Sequence, residues 1–327
     1  MSFLSRTLAA TALALITAAS AQAAEVKIAM NGVDDPVTNA EAAFAHGFAE
    51  ALKGTDFTVS IFPSGTLGSE KERYDQTAQG LVEVDLATTS TAFGMSPLVK
   101  GAAMPFFFAN GEEFDKIIND TSIMEAMNKP LVENGVRMVG FNFIGVGIGI
   151  HNSKKPIARL EDMQGMRFRA LNAEQLAFQE ALGANGTIVA WAEVANAIQT
   201  GVADGYFNPP NSAIRTGHTE FLKYYTPADI APSIRSILIS EDWYMALSDE
   251  GKKQIDAALE AGIKANRDWV TAWSTEVRAR HEAAGVTITE LEPGEREKMI
   301  ALSQGVWAAT LSPEDLKLWT DAKASIQ

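Results

Sequence analysis

Polar and apolar residues alternate along the chain in short runs, and longer runs with a helical period separate them. Residues 25–30 (EVKIAM), 57–62 (FTVSIF) and 82–87 alternate in the way that half-buried strands do. Residues 39–52 and 69–79, which lie between these runs, predict helices. Strands that alternate with helices form β-α-β units, so the pattern predicts an α/β fold with mostly parallel sheets.

One step of this pattern occurs twice. A helix ends at Gln79-Gly80 and leads through Val84-Asp85 into a strand, and a second helix ends at Thr200-Gly201 and leads through Val202 and Asp204 into another. We interpret this as two similar α/β halves whose strand-end loops face a shared crevice. Chance recurrence of a common helix–glycine–strand connection is the alternative.

Residues 136–150 form a strand-like run that is longer than an ordinary strand, with Gly145, Gly147 and Gly149 at alternate positions. The glycines favour a strand that passes between the two domains and bends. They do not form a dinucleotide-binding fingerprint, because they lie inside the strand and residues 151–156 cannot open a helix directly after them.

Three later segments complete the pattern. Residues 232–240 predict a long strand that returns the chain to the first half. Residues 248–284 contain no proline, and a single helix there would be roughly 55 Å long at 1.5 Å per residue. A helix lying across both domains explains that length, and a break near Gly262 is the alternative. Ser312, followed by proline and two acidic residues, predicts the start of a C-terminal helix.

The first residues have the pattern of a signal peptide. Arg6 precedes the apolar run 8–18, and Ala21-Gln22-Ala23 supplies the small residues of a cleavage site, so we expect residues 1–23 to be removed. The apolar run is too short to span a bilayer as an ordinary helix. The sequence therefore predicts export to the periplasm of a Gram-negative bacterium, with an uncleaved anchor as the alternative.

Composition narrows the possible functions. A chain of 327 residues suggests two domains, and the absence of cysteine excludes disulfides, thiol catalysis and cysteine-ligated metals. The excess of 41 Asp and Glu over 27 Lys and Arg argues against nucleic acid as a partner. The four histidines lack metal-ligand spacing, and no familiar catalytic motif is present. We therefore predict no catalytic residue, metal or cofactor, although missing motifs do not exclude an enzyme.

Candidate binding chemistry lies in residues 162–174. Arg167 and Arg169 alternate on a short predicted strand, and Asn172 follows where a helix is expected to begin. A guanidinium at the end of a strand, next to amide donors at a helix N-terminus, suits a small anion. The spacing does not choose between the two arginines, and a structural ion pair is the alternative role.

Residues 165–169 (GMRFR) and 197–209 (AIQTGVADGYFNP) resemble the extracytoplasmic solute-binding proteins of tripartite ATP-independent periplasmic (TRAP) transporters, of the C4-dicarboxylate-binding type. Residues 62–70 (FPSGTLGSE), the turn at 154–157 (KKPI) and the long late helix fit the same family in the same order. The resemblance covers essentially the whole chain after the predicted signal peptide. It implies an α/β fold: a two-lobed periplasmic-binding-protein clamshell with crossing strands, in which one long helix spans both lobes.

The resemblance also implies where the lobes begin and end. Lobe one is expected to comprise residues 24–146 plus 233–270, and lobe two residues 147–232 plus 271–327. The implied partners are a small organic acid and the membrane subunits of a TRAP transporter, and we expect a monomer. The alternatives are a ligand-sensing partner of a membrane receptor and an enzyme acting on an organic acid.

The resemblance further implies a set of ligand-binding residues. Arg169 aligns with the family's carboxylate-binding arginine, Asn208 with its asparagine beside the ligand, and Asn172 with a polar contact of some members. Arg167 is then a bystander. The other candidates are Trp191 and Phe207 as pocket walls and, from lobe one, Glu70, Tyr74, Thr89 and Ser90.

The sequence departs from the family pattern at one position. Many relatives carry a second arginine on the crossing strand, where this chain has Ile148. Arg169 is then the one cation assigned to the ligand, which favours an acid with one carboxylate or sulfonate and an apolar or hydroxylated remainder. The sequence leaves open the identity of the ligand, its affinity and the coupled ion.

Overall fold

The computed structural model describes residues 24–326, so the predicted signal peptide, residues 1–23, lies outside the described residues. The strands are β1 (Ala24–Met30), β2 (Phe57–Phe62), β3 (Val84–Thr88), β4 (Val136–Phe143), β5 (Gly149–Asn152), β6 (Arg167–Ala170), β7 (Asn185–Ile188), β8 (Gly205–Asn208), β9 (Tyr224–Thr226), β10 (Ile234–Ser240) and β11 (Thr287–Ile288). The helices are α1 (Ala40–Ala51), α2 (Glu70–Ala78), α3 (Gly111–Asp120), α4 (Ile123–Val132), α5 (Ala173–Ala181), α6 (Val194–Gln199), α7 (Pro210–Arg215), α8 (Glu241–Ala246), α9 (Asp249–Ala283), α10 (Glu295–Thr310) and α11 (Pro313–Ser325). No helix in this part of the chain is long and apolar enough to cross a membrane.

The strands form two sheets with the same internal order. The first sheet runs β2-β1-β3-β10-β4, and the second, taken from its β7 end, runs β7-β6-β8-β5-β9-β11. In the first sheet, β10 is antiparallel to both of its neighbours, β3 and β4. In the second sheet, β5 is antiparallel to both of its neighbours, β8 and β9. Each of these strands enters its sheet from the other lobe. The repeated order agrees with the two similar halves inferred from the sequence.

The crossing segments pair with each other between the sheets. Ile144 N donates to the Ser233 carbonyl at 2.9 Å, and Ile148 N to the Ala231 carbonyl at 3.0 Å. A Cβ on Gly147 would lie 2.5 Å from Asp229 Oδ1, so glycine permits this approach. The predicted single strand over 136–150 is therefore two strands, β4 and β5, because the backbone changes pairing partners where it crosses.

The long helix α9 contains 35 residues and continues without a break through Gly262, as the sequence favoured. Near its start, Ile255 and Leu259 belong to the core of the first lobe. Near its end, the His281 ring stacks on Tyr225 of the second sheet with 4.7 Å between ring centroids. The helix therefore spans both lobes.

Small residues set the distance between α9 and α1. A Cβ on Gly262 would lie 2.8 Å from the Phe44 ring and 3.0 Å from the Phe44 carbonyl oxygen. A Cβ on Gly47 of α1 would lie 2.6 Å from the Cβ of Ala265. The two helices can pack at this distance because neither glycine carries a side chain.

Replacing Gly262 with alanine is expected to lower the free energy of unfolding. Overpacking a well-filled core costs about 1–3 kcal/mol, which exceeds the roughly 1 kcal/mol that alanine gains over glycine in a helix. Urea unfolding of the two proteins measures the difference. The matched control is Gly305→Ala in α10, where an added Cβ meets nothing within 4 Å and should stabilise the protein. Equal stabilisation by both substitutions would contradict the close contact at Gly262.

The C-terminal helix α11 packs on lobe one. Trp319 and Ala322 lie in the same apolar cluster as Leu98 and Phe107, and Trp319 Nε1 donates to the Leu98 carbonyl at 2.9 Å. The expectation that residues 271–327 belong entirely to lobe two is therefore wrong for α11, whose apolar face is buried against the first lobe. The other lobe boundaries remain predictions.

Candidate functional site

A cavity of about 420 Å³ lies between the lobes and is lined by residues of both. Its walls include residues 88–90 at the end of β3, 207–209 at the end of β8 and, at the end of β6, Arg169, Leu171 and Asn172. Residues 233–235 at the start of β10 lie at the same edge because that strand is antiparallel. Ligands of open α/β sheets bind beyond the carboxyl ends of the strands, so the cavity occupies the expected position.

Arg169 is buried in the wall of this cavity and is 2% exposed. Its Nε donates to the Val189 carbonyl at 2.9 Å, and its guanidinium carbon lies 5.6 Å from the centroid of the Trp191 ring. Burial lowers the pKa of Arg169 to about 10, so the side chain remains charged at neutral pH. Within residues 24–326 its two Nη atoms have no hydrogen-bond or ion-pair partner, and they are available to an anion.

The other predicted residues of lobe two also line the cavity. Asn208 ends β8, and Trp191 stands beside Arg169. Asn172 caps α5 by accepting from Gln175 N at 2.9 Å, which leaves its amide nitrogen as a donor. Phe207 is 1% exposed and packs edge-to-face on other aromatic rings of the lobe-two core, so it forms a fixed wall.

Glu70, Thr89 and Ser90 line the cavity from lobe one, and Tyr74 does not. Tyr74 lies one helical turn after Glu70 and packs in the apolar core of its lobe, where burial raises the pKa of the hydroxyl. Its prediction as a site residue is therefore corrected. The two side chains share a face of α2, but Glu70 is the first residue of the helix and meets the cavity, whereas Tyr74 lies one turn further on against the core.

A chain of buried polar contacts holds Glu70 in place. Arg73 and Asp85 form an ion pair at 2.8 Å, and both side chains are buried. Arg73 Nη1 donates to Asn31 Oδ1 at 2.8 Å, and Asn31 Nδ2 donates to Glu70 Oε1 at 2.8 Å. Burial raises the pKa of Asp85 to about 6, although the charge of Arg73 opposes this shift. The carboxylate of Glu70 is thereby fixed against the cavity.

The sequence did not assign several residues that line the cavity. Arg215, Arg235 and Lys100 are cations, and Trp307 of α10 donates through Nε1 to the Pro105 carbonyl at 2.8 Å. Ile148 also lines the cavity, but its lack of charge does not leave Arg169 as the sole cation there. Arg215 and Arg235 approach the cavity from elements distant in sequence, and the role of Arg169 as the one cation assigned to the ligand stays a prediction.

One signal could have identified Arg235. It lies near the start of the predicted return strand, and an antiparallel strand begins at the edge where its neighbours end. Arg215 follows a pair of prolines in a short helix and carries no comparable signal. Across the described residues, no group of three or more His, Asp or Glu side chains is placed to hold a metal ion.

Comparison with known proteins identifies the family of the chain. The family model "Bacterial extracellular solute-binding protein, family 7" (DctP) matches residues 29–313. The uncharacterised protein YiiZ of Salmonella typhimurium is 30% identical over 243 residues, which cover 72% of this chain and 71% of YiiZ. The C4-dicarboxylate-binding periplasmic protein DctP of Rhodobacter capsulatus is 25% identical, with 93% of this chain and 90% of that protein covered.

The fold is also that of a solved structure. A TRAP periplasmic solute-binding protein from Roseobacter denitrificans, with bound β-D-glucuronate, superposes with a TM-score of 0.81 at 26% identity. The match covers 91% of this chain and 98% of that one. The predicted two-lobed α/β fold is confirmed. Because the family model spans most of the sequence, the chain belongs to the extracellular solute-binding protein family 7, the DctP family of TRAP solute-binding proteins.

Proposed function

We propose that this protein captures a small organic acid in the periplasm and delivers it to the membrane subunits of a TRAP transporter. The observation that carries the proposal is Arg169, a buried cation in the cavity wall whose two Nη atoms have no partner within residues 24–326. Proteins of the same family include one named for C4-dicarboxylate binding and one solved with β-D-glucuronate, which supports an acid as the ligand.

The carboxylate of the ligand binds the guanidinium of Arg169. A planar guanidinium pairs with a carboxylate through two parallel hydrogen bonds, and the pairing is stronger where water is excluded. Trp191 and Phe207 are among the apolar side chains of the wall that exclude water. Asn172 and Asn208 add amide groups beside the anchor.

Closure follows from contact with both lobes. A ligand on Arg169 also meets Glu70 and Ser90 of lobe one, so it favours the closed arrangement over the open one. Lys100 of lobe one and Glu174 of lobe two pair at 2.9 Å beside the cavity and add to the closed state. The crossing segments between the sheets are the natural hinge.

Binding rather than catalysis is the activity that we propose. Two carboxylates line the cavity, Glu70 and Glu174. Glu70 pairs with Arg235 and Glu174 with Lys100, and a carboxylate held in an ion pair is a poor general base. Export through the predicted signal peptide, residues 1–23, accounts for a periplasmic location, since proteins of this family such as DctP are periplasmic.

A thermal-shift screen of organic acids tests the proposal. We expect at least one acid to raise the melting temperature, since ligand at a hundred times its Kd stabilises the folded state by about 2.7 kcal/mol. The screen should cover mono- and dicarboxylates, keto and hydroxy acids, sugar acids and sulfonates. The neutral amide of each hit is the control and should have no effect. Stabilisation by the amide equal to that by the acid, or turnover of the bound acid, would refute the proposed function.

A further inference from the structure

The cavity contains cations that the protein itself neutralises. Arg235 pairs with Glu41 at 3.1 Å and also with Glu70. Lys100 pairs with Glu174 at 2.9 Å. These charges are compensated within the folded protein, so Arg235 and Lys100 do not need a ligand anion.

Arg169 and Arg215 differ from those two side chains. Both line the cavity, and neither makes an ion pair with any residue in the described part of the chain. Arg215 is the last residue of α7, and its guanidinium, with five N–H donors, has no hydrogen-bond acceptor among those residues. Arg215 is exposed to solvent where Arg169 is buried, so water can meet its donors in the protein without ligand. Partial desolvation lowers the pKa of Arg215 and the charge of Glu41 raises it, but arginine remains charged at neutral pH. The cavity therefore offers two unoccupied guanidinium groups.

The balance of charge limits what these groups can bind. Four cations (Lys100, Arg169, Arg215 and Arg235) and three carboxylates (Glu41, Glu70 and Glu174) lie at or directly behind the cavity wall, which gives 4 − 3 = +1 for these residues. One carboxylate on the ligand brings the sum to zero. A second carboxylate would leave an uncompensated negative charge once the lobes close on the ligand and exclude water, where charge is costly.

A ligand that displaces water from Arg215 must supply acceptors for its donors, and the balance of charge favours neutral oxygens for this purpose. Arg169 can occupy both oxygens of a single carboxylate through its two Nη atoms. Hydroxyl groups on the rest of the ligand can accept from Arg215 and donate to Glu70. The wall adds further small polar side chains that suit hydroxyl groups, namely Thr89, Ser90, Asn172, Asn208, Ser212 and Ser233.

We propose that Arg215 is a second ligand-binding residue that donates hydrogen bonds to ligand hydroxyl oxygens, so that the cavity selects polyhydroxylated monocarboxylates over dicarboxylates. This inference rests on the proposed function and names the ligand class of the same cavity. The sequence also predicted a ligand with one carboxylate, because Ile148 stands where many relatives carry an arginine. Here the same number follows from the charge balance of the cavity.

Calorimetric titration of two pairs of six-carbon acids tests the inference. The pairs are D-gluconate with D-glucarate and D-galactonate with galactarate, which differ in one terminal carboxylate. One of the two pairs will have the higher affinity for the protein. In that pair, we expect the Kd of the monoacid to be at least tenfold lower than the Kd of the diacid. Arg215→Met should weaken the monoacid at least tenfold, and Arg215→Lys should weaken it less, because it keeps the charge.

A substitution at Glu174 tests the charge balance separately. Glu174→Gln raises the sum over these side chains from +1 to +2 and releases Lys100 from its partner. The ratio of diacid to monoacid affinity should then rise at least fivefold, and because it is a ratio, any effect on closure common to both acids cancels. The control is Arg278→Met, which removes an exposed cation paired on the surface and should change neither affinity.

The outcomes separate this inference from the proposed function. Binding of the monoacid by Arg215→Met with wild-type affinity, while Arg169 is still required, overturns the inference alone. The inference alone is also overturned if a diacid binds the wild type as tightly as its monoacid. The same holds if Glu174→Gln leaves the ratio of diacid to monoacid affinity unchanged. If the wild type binds no organic acid, or binds one equally well without Arg169, both fail. Thermal melts of each variant without ligand identify any loss caused by misfolding.

Discussion

Replacing Arg169 with methionine is expected to weaken binding of the organic acid by roughly 30- to 4,000-fold. Removing one partner of a buried, hydrogen-bonded charge pair costs about 2–5 kcal/mol, and about 1.4 kcal/mol corresponds to a factor of ten in Kd. Methionine keeps most of the apolar stem that packs beside Trp191, so the substitution removes chiefly the cation. Calorimetric titration with the acid found in the thermal-shift screen measures the change.

The same substitution should not destabilise the protein without ligand. Arg169 is 2% exposed and holds its charge without a counter-ion among the described residues, an arrangement that costs free energy in the empty protein. We therefore expect the melting temperature of Arg169→Met to equal or exceed that of the wild type. Gain of stability together with loss of binding is the signature of a residue kept for its ligand.

Arg167→Met is the matched control for this prediction. Arg167 lies two residues earlier on β6, and its side chain is exposed and donates to the Gly201 carbonyl. The control should bind the acid with wild-type affinity. Equal binding by Arg169→Met and wild type would contradict the assignment of the anchor, and unfolding of Arg169→Met without ligand would indicate a structural role instead.

Local features of the structure could be predicted because the sequence encodes them locally. Ser69 and Ser312 cap their helices through side-chain oxygens, as residue type and spacing indicated. Gly80 and Gly201 end α2 and α6 with positive φ values, which favour glycine. The periodicity of residues 248–284 was sufficient to predict α9 as one helix.

Features that depend on contacts between distant segments could not be predicted in the same way. Arg215 and Arg235 reach the cavity from α7 and β10, and only the folded arrangement of both lobes places them beside Arg169. The packing of α11 on lobe one includes a hydrogen bond between Trp319 and Leu98. These residues are 221 positions apart, so no local pattern in the sequence indicates the contact. Resemblance selected Arg169 from two equivalent arginines, and its placement in the cavity wall supports that choice.

Three buried histidines are expected to make the protein lose stability in mild acid. His151, His218 and His281 are buried, and burial lowers the pKa of each, that of His218 to about 4. The rings of His151 and His281 each stack against the Tyr225 ring, at 4.5 and 4.7 Å between centroids, and lie 5.7 Å from each other. Within the described residues, the buried Nε2 atoms of His151 and His281 have no hydrogen-bond partner, so a proton added there would create an unsatisfied buried cation.

The direction of the pH effect follows from the order of the pKa values. An unfolded histidine titrates near 6.5, above the lowered pKa of each folded histidine, so the unfolded state binds more protons between these values. The stability is complete above about pH 6.5 and decreases as the pH falls below it. For a histidine shifted to about 4, the loss between pH 7 and pH 5 is about 2 kcal/mol. Asp85 acts in the opposite sense, because its pKa is raised to about 6 in the folded state.

Comparison of variants isolates the histidine contribution from that of Asp85. Urea unfolding at pH 7.5 and pH 5.0 should show that His218→Gln loses about 2 kcal/mol less stability than the wild type over this range. Glutamine can keep a hydrogen bond to Tyr206, whose hydroxyl lies 3.3 Å from His218 Nδ1. If His218→Gln loses as much stability as the wild type between pH 7.5 and pH 5.0, the prediction is wrong. His218 would then accept a proton in the folded protein by rearranging its contacts with Tyr206 and Trp191.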